Sequence, residues 1–273
     1  MYEGLAYNYL VASEWLLSPR DAIPKVKAAA TRALELDNTL AAAHMWLGAA
    51  SYCTDWNWRA AETEFRRAIR LNPNYATAHQ VYGVHLVLLG QFDQAIEENR
   101  RAQELDPLSP ETNAYLGLIF YLARRYDHAI EQLRSTIDMD QNYWFAFLHL
   151  GQAYEQKGQF DAAIAMFQKA KKSANPELWG ALGHTYAMSG EKNEAQKIIK
   201  ELMRQSTKRY VAPYFIATIH AGLEEKEQAF QWLEKGYEER SFYLRWLKVD
   251  PALDSLRSDP RFADLLQRVG LTA

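Results

Sequence analysis

Two series of small residues, each with a spacing close to 34, constrain this chain more than any other feature. In the first series the successive steps are 35, 34, 34, 32 and 34 residues, and the members are Gly48, Gly83, Gly117, Gly151, Gly183 and Ala217. In the second the steps are 34, 34, 34, 32 and 34, and the members are Ala61, Ala95, Ala129, Ala163, Ala195 and Ala229. Because two helices cross closely only where a side chain is small, two series in step predict a repeated helix crossing.

The repeating unit is clearest from Ala76 to Ser109, which reads ATAHQVYGVHLVLLGQFDQAIEENRRAQELDPLS. It contains two apolar stripes at helical spacing, with a turn signal at Gly90 and a stop at Asp106 and Pro107. This pattern predicts a helix hairpin of about 34 residues. A single hairpin cannot bury its apolar face, so we expect the hairpins to stack and to share a continuous core.

Three Leu-Gly pairs lie in predicted first helices of the hairpins, at Leu116-Gly117, Leu150-Gly151 and Leu182-Gly183. Pro73 and Pro107 follow predicted second helices. These residues resemble the tetratricopeptide repeat, a 34-residue helix-turn-helix unit. The resemblance implies an all-α superhelix, in which we count about seven hairpins followed by a short C-terminal helical cap.

We interpret residues 1–273 as one solenoid. Residues 1–40 are a divergent first hairpin whose first helix is predicted over Tyr2 to Leu17, and residues 41–240 are six repeat-like hairpins. Residues 241–273 are capping helices, because Asp250-Pro251 and Asp259-Pro260 each pair an N-cap residue with proline at the first helical position. Such a cap closes the open end of a stack.

Two places depart from the regular repeat. The turn that contains Trp56 and Trp58 is one residue longer, and the pair is either a staple that covers a junction between repeats or an exposed recognition pair. The connection before Asn175-Pro176 is two residues shorter than those of the preceding units. We therefore expect the twist of the superhelix to change there.

Composition limits the function. The net charge of -3 and the pI of about 6.2 disfavour a dedicated nucleic-acid surface. The single cysteine, Cys53, cannot form an internal disulfide and suits a reducing compartment. No signal peptide is evident, and the longest apolar stretch, Tyr115 to Ala123, is shorter than the roughly 20 residues that span a bilayer. We expect a cytoplasmic protein that binds neither nucleic acid nor membrane directly.

The sequence contains no recognisable catalytic or metal-binding pattern: no phosphate loop, dinucleotide fingerprint or zinc spacing. His44 and His79 occupy the same place in successive units, which puts them roughly 10 Å apart, too far for one metal ion. We interpret them and the later His149, His184 and His220 as structural or surface residues. The prediction is a protein that is not an enzyme and has no cofactor or metal.

Places two, five, nine and twelve of each predicted first helix lie on one face, because their spacings are three and four. In the tetratricopeptide family this face lines the concave groove where peptides bind. The resemblance therefore implies a partner-binding groove, with Leu122 added from a thirteenth place, that comprises Met45, Tyr52, Gln80, Val84, Val87, Leu118, Tyr121, Leu122, Phe145, Leu148 and Gln152. The same stripe carries the acidic residues Glu111 and Glu155. The alternative is that tight stacking buries the stripe between neighbouring units.

Two stretches, DWNWRAAETEFRRAIRLNPNYATAH at 55–79 and EERSFYLRWLKVDPALDSLRSDPRFADLLQRVGL at 238–271, are similar to one bacterial subgroup of this family. In that subgroup the repeats follow a winged-helix DNA-binding domain, a serine/threonine kinase or a nucleotide cyclase. The resemblance implies a protein-protein interaction module of a bacterial signalling or transcription regulator, with a protein or peptide partner in the groove and a covalently linked effector domain. The alternative is an architectural solenoid that forms a homo-oligomer or packs against the missing effector domain.

Overall fold

The structure, a computed structural model, describes residues 18–53, 55–170 and 175–272. In these ranges the chain forms α-helices and two 3-10 helices and has no β-strand, which confirms the predicted all-α class. The helix predicted over Tyr2 to Leu17 lies outside the described residues. None of the described helices combines the length and the apolar character needed to cross a membrane.

The helices follow one another as α1 (Pro19–Leu36), α2 (Ala41–Cys53), α3 (Trp58–Leu71), α4 (Ala76–Leu88), α5 (Phe92–Leu105), α6 (Pro110–Leu122), α7 (Tyr126–Met139), α8 (Trp144–Gln156), α9 (Phe160–Ala170), α10 (Pro176–Met188), α11 (Lys192–Ser206), α12 (Pro213–Gly222) and α13 (Lys226–Glu238). Two 3-10 helices, η1 (Phe242–Trp246) and η2 (Pro251–Leu256), and then α14 (Pro260–Arg268) complete the chain. From α2 onward each even-numbered helix is the first helix of a hairpin and packs against the odd-numbered second helix that follows it. The result is the predicted helical solenoid.

The small residues of both series lie at the crossings of the paired helices, as predicted. All six alanines of the second series are fully buried. A Cβ atom added to Gly117 would lie 2.5 Å from Cγ of Leu133, and one added to Gly151 would lie 2.5 Å from Cε1 of Phe167. The hairpin helices therefore approach to a distance that leaves no room for a side chain on the first helix.

His44 and His79 are structural, as predicted. Nδ1 of His44 lies 2.6 Å from Glu64, and Nδ1 of His79 lies 2.6 Å from Glu98. In both cases Nε2 of the ring faces a backbone carbonyl of the turn that precedes the first helix. Each histidine thus ties the second helix of its hairpin to the turn before the hairpin.

The packing of first helices changes in the C-terminal half. Added Cβ atoms on Gly180 and Gly183 of α10 would lie 2.8 Å from Phe215 and 2.5 Å from Ile219, both on the next first helix α12. In the earlier units the close contacts of the first-series glycines are with the second helix of the same hairpin, a contact that Gly183 keeps with Cγ2 of Ile198 at 2.9 Å. The twist change predicted near Asn175-Pro176 stays a prediction, since residues 171–174 of that connection lie outside the described ranges.

The N-caps predicted for the C-terminal helices are confirmed. The side chain of Asp250 accepts a hydrogen bond from the backbone N–H of Ala252, 2.9 Å away, at the start of η2. The side chain of Asp259 accepts one from the N–H of Arg261, 3.0 Å away, at the start of α14. Each carboxylate satisfies a donor that the first helical turn leaves free.

The C-terminal segment, residues 241–272, does more than cover the end of the stack. It returns to the N-terminal units, where Nε1–H of Trp58 donates to the carbonyl of Val269, 2.8 Å away, and Arg124 pairs with Asp254 at 2.7 Å. The ring of Trp56 stacks on Tyr237 of α13. Trp56 and Trp58 are only 7% and 8% exposed, so they form a staple, but the junction they cover joins the turn between α2 and α3 to α13 and the C-terminal segment.

A glycine pair tests the crossing. Replacing Gly151 with alanine should destabilise the fold by about 1 to 3 kcal/mol, because the new methyl group overlaps the fully buried ring of Phe167. The same change at Gly236 of α13, where the nearest atom is 3.5 Å from the added Cβ, should be neutral or should stabilise by up to about 1 kcal/mol. Urea denaturation measures both, and equal effects would contradict the assigned crossing.

A second substitution tests the closure of the superhelix, by which we mean the contact of the C-terminal segment with the N-terminal units. Replacing Trp58 with phenylalanine keeps a ring against Tyr52 but removes the donor to the carbonyl of Val269, which should cost roughly 1 to 3 kcal/mol. Hydrogen exchange should become faster for the amides of α14. The same replacement at Trp144, which is half-buried, is the matched control and should leave the exchange of the α14 amides unchanged. Unaltered α14 protection in the Trp58 variant would show that the closure does not depend on this bond.

Candidate functional site

A cavity of about 690 Å³ lies within the superhelix. Its walls consist of first helices from α2 to α12, the residues directly before α4 and α8, and the C-terminal segment. In the described part of the chain no second helix contributes to it. The volume falls within the roughly 300 to 1,000 Å³ typical of ligand pockets in proteins.

Most residues of the predicted groove reach this cavity. The eight that line it are Tyr52, Gln80, Val84, Leu118, Tyr121, Leu122, Phe145 and Gln152. Three others do not reach it and are fully buried between packed helices: Met45, Val87 and Leu148. For those three the stacking alternative describes the position correctly, whereas a partner-binding role of the eight stays a prediction.

The lining face is rotated from the predicted one. Place six of successive first helices lines the cavity, with Trp46, Val81, Tyr115, His149 and Ala181, whereas place five does so only at Gln80. Both places keep spacings of three and four with places two and nine, so the sequence pattern fits either face. The contact between neighbouring first helices decides between them, because it buries place five.

The largest omission of the sequence interpretation is the C-terminal segment as a wall of the cavity. Phe242, Tyr243, Arg245, Trp246 and Asp250 all line it. The available signal was the aromatic run SFYLRW, which lacks the period of the hairpin helices. An end cap explains that run only in part, because a cap does not require a buried arginine.

The carboxylates deep in the cavity have partners within the chain. Glu155, predicted as an acidic residue of the groove, lies 2.9 Å from Nδ1 of His184 and accepts a hydrogen bond from the Thr185 hydroxyl. Burial opposes protonation of His184, but attraction and hydrogen bonding to Glu155 prevail and raise its pKa. Asp250 accepts from the Tyr214 hydroxyl at 2.6 Å, and its burial raises its pKa.

Half-buried aromatic side chains occupy one part of the wall, which we call the aromatic rim: Tyr75, Tyr115, Tyr143, Trp144 and Phe145. Phe145 is central, since its ring centre lies 5.0 Å from that of Tyr115, 6.3 Å from that of Tyr143 and 5.6 Å from that of Trp144. The rim remains accessible, while Tyr52 and Tyr121 elsewhere on the wall are almost fully buried.

His149 connects the rim with the buried wall. It is 4% exposed, its ring centre lies 4.2 Å from that of Phe145, and Nδ1 lies 2.6 Å from Oε1 of Gln152. Burial lowers its pKa to about 4, against the opposing effect of the bond to Gln152, so the ring is neutral at pH 7. An amide oxygen accepts, which assigns the proton to Nδ1 and leaves Nε2 as a buried acceptor without a partner.

Sequence comparison identifies the repeat. One family model, described as tetratricopeptide repeat, matches residues 57–110 and 115–177, and a second of the same description matches residues 155–214. Together the matches cover more than half of the chain. Among curated proteins, none matches this chain in sequence.

Solved structures share the fold. A tetratricopeptide repeat protein from Parabacteroides merdae has a TM-score of 0.61 at 14% identity, with 98% of each chain covered. The Cut9-Hcn1 hetero-tetramer of the APC/C has a TM-score of 0.61 at 18% identity, over 97% of this chain and 54% of that one. PilF of Pseudomonas aeruginosa has a TM-score of 0.55 at 19% identity, over 76% of this chain and 91% of that one.

The buried imidazole of His149 predicts a pH effect. Its pKa is about 4 in the folded chain and roughly 6.5 when unfolded, so the fold should lose stability as the pH falls from about 6.5 to about 4. Replacing His149 with leucine should reduce this loss by up to about 3 kcal/mol. Urea denaturation at pH 7 and near pH 4.5 measures the difference. An equal loss in both proteins would contradict the buried neutral state.

Proposed function

Because the chain belongs to the tetratricopeptide repeat family, we propose that it is an interaction module of a cytoplasmic bacterial signalling or transcription regulator. Proteins of this family generally bind protein or peptide partners, and their fold is typically a non-catalytic scaffold. The partner binds on the concave side, at the aromatic rim. A linked effector domain supplies the output, as in the subgroup that the stretches at 55–79 and 238–271 resemble.

The aromatic rim is the observation that carries the proposal. Its five large rings stay half-exposed beside a cavity, although the chain buries most of its other large apolar side chains. Aromatic residues are enriched among the few positions that dominate binding energy, and a concave surface lets them surround an apolar anchor of a partner. Gln152 lines the same cavity; its Oε1 is bonded to His149, and its amide N–H groups can donate to a peptide backbone.

The alternative, an architectural or self-association role, has its own support on the outer side. Large apolar residues are exposed at or after the ends of successive second helices, at Leu36, Leu71, Leu108 and Met139. Such a line of apolar side chains fits a second copy of the chain or a linked effector domain. Light scattering over a concentration series tests it, since a monomer at every concentration removes self-association.

The rim predicts a matched pair of variants. Peptides selected from a displayed random library against the intact protein should bind Phe145→Ala more weakly by roughly 1 to 3 kcal/mol, because the variant lacks the central ring. Replacing Tyr186 with alanine is the control, since this half-buried aromatic residue of α10 does not line the cavity. Fluorescence titration gives the affinities, and circular dichroism melts show whether each variant is folded.

Two results would contradict the proposal. Folded Phe145 and Tyr186 variants that bind the selected peptides equally well would move the interface away from the rim. A Phe145 variant that loses its fold together with its binding would assign this ring to packing instead.

A further inference from the structure

Arg245 of η1 is a buried cation on the wall of the cavity. Its side chain is 9% exposed, and the guanidinium carbon lies 3.3 Å from the ring centre of Phe242, 4.6 Å from that of Trp246 and 5.9 Å from that of Tyr52. Its Nε atom is buried without a hydrogen-bond partner, and within the described ranges Arg245 forms no ion pair. The guanidinium carbon lies over these rings, and the N–H donors of a guanidinium group lie in its plane.

The carboxylates that line the same cavity do not provide a counter-ion for Arg245. Glu111 is hydrogen-bonded to Gln80, Glu155 is paired with His184, Asp250 accepts from Tyr214, and Glu177 accepts from the Tyr243 hydroxyl at 3.1 Å. Arginine keeps its charge at physiological pH, and contacts with aromatic rings replace only part of the hydration that burial removes. A buried arginine with free N–H edges beside a cavity is suited to a planar anion such as a carboxylate.

His149 gives a second, independent observation. Its Nε2 is a buried acceptor without a partner on the wall of the same cavity. A buried acceptor is costly when it stays unpaired, so this atom calls for an N–H or O–H donor. Arg245 and His149 both line the cavity, the one as a cation without an ion pair and the other with an acceptor that lacks a donor.

The other side chains of the wall determine which kind of ligand fits the cavity. Apolar and aromatic side chains, including Tyr52, Val84, Leu118 and Tyr121, form the buried surface. A single arginine matches a monoanion, and the carboxylates Glu155 and Asp250 on the wall of the same cavity disfavour a more highly charged group such as a phosphate. The chemistry is that of a small aromatic or aliphatic carboxylic acid.

We propose that the cavity binds a small organic acid whose carboxylate pairs with Arg245, whose apolar body packs against Tyr52 and Tyr121, and whose N–H or O–H group donates to Nε2 of His149. This site goes beyond the proposed function, which uses the accessible rim. Arg245 belongs to the C-terminal segment and His149 to α8, so the bound acid joins the segment to the superhelix.

Three probes test the site on the intact protein by isothermal titration calorimetry: 3-(4-hydroxyphenyl)propionate, its primary amide and 3-(4-methoxyphenyl)propionate. The hydroxyphenyl acid should bind at least about tenfold more tightly than the amide, which lacks the charge. It should also bind more tightly than the methoxy acid, which cannot donate a hydrogen bond. Binding of the hydroxyphenyl acid should slow hydrogen exchange in residues 241–272.

Variants test whether Arg245 causes the preference for acid over amide and whether His149 causes the preference for hydroxyl over methoxy. Arg245→Met keeps an apolar side chain against Phe242 and should abolish the preference for acid over amide. His149→Leu should abolish the preference for hydroxyl over methoxy and leave that for acid over amide. Arg100→Gln, on the exposed face of a second helix, is the control and should bind as the parent does. Because the probes are compared first on the unmodified protein, the test does not depend on the folding of any variant.

The proposal is overturned if the unmodified protein binds the acid no better than the amide up to the solubility limit. It is also overturned if a folded Arg245→Met variant keeps the preference. Tighter binding of the peptide acetyl-Ala-Ala-Tyr than of the free acid would assign the cavity to a chain end instead. Loss of acid binding alone leaves the rim proposal standing, because that proposal is measured with library peptides and the Phe145 variant.

Discussion

The close crossing of two helices at a residue without a side chain is the constraint on which this structure depends. Where Gly151 faces Phe167, the ring fills the space that a Cβ atom would occupy, and each hairpin is held in one geometry. Because the crossing recurs every 34 residues or so, every first helix takes the same side of the stack. The concave cavity is the direct result, because the part of its wall that the hairpins form consists of first helices and the residues just before them.

Closure by the C-terminal segment changes what that concave side can do. An open groove would expose a long apolar stripe, whereas here Trp58 holds Val269 and Arg124 pairs with Asp254, and the stripe becomes the wall of a chamber. Apolar surface is removed from water over most of this wall, which favours the closed arrangement. The aromatic rim belongs to the part of the wall that stays accessible. Under our two proposals, a macromolecular partner and a small ligand therefore contact different parts of the same cavity.

The sequence predicted the repeat, the crossings, the N-caps and the general face of the groove, because each depends on local period or on one residue type. It predicted that place five of a first helix faces inward, whereas place six does, as the contrast of Met45 with Trp46 shows; both places fit the helical period. The position of Arg245 on the wall of the cavity could not be predicted either. Its position depends on a segment that returns across the whole superhelix, and nothing in local periodicity reports such a return.

Under our proposal, the inner site and the rim are physically linked through one side chain. The ring of His149 meets Phe145 edge to face at 4.2 Å, and its Nε2 is the acceptor assigned to the acid. A ligand that fixes this imidazole therefore also restricts the central ring of the rim. Since a ligand stabilises the state that binds it, occupancy of the inner site favours the closed superhelix and one arrangement of the surface that the partner contacts. A solenoid closed in this way can convert the binding of a small acid into a change in affinity for a protein.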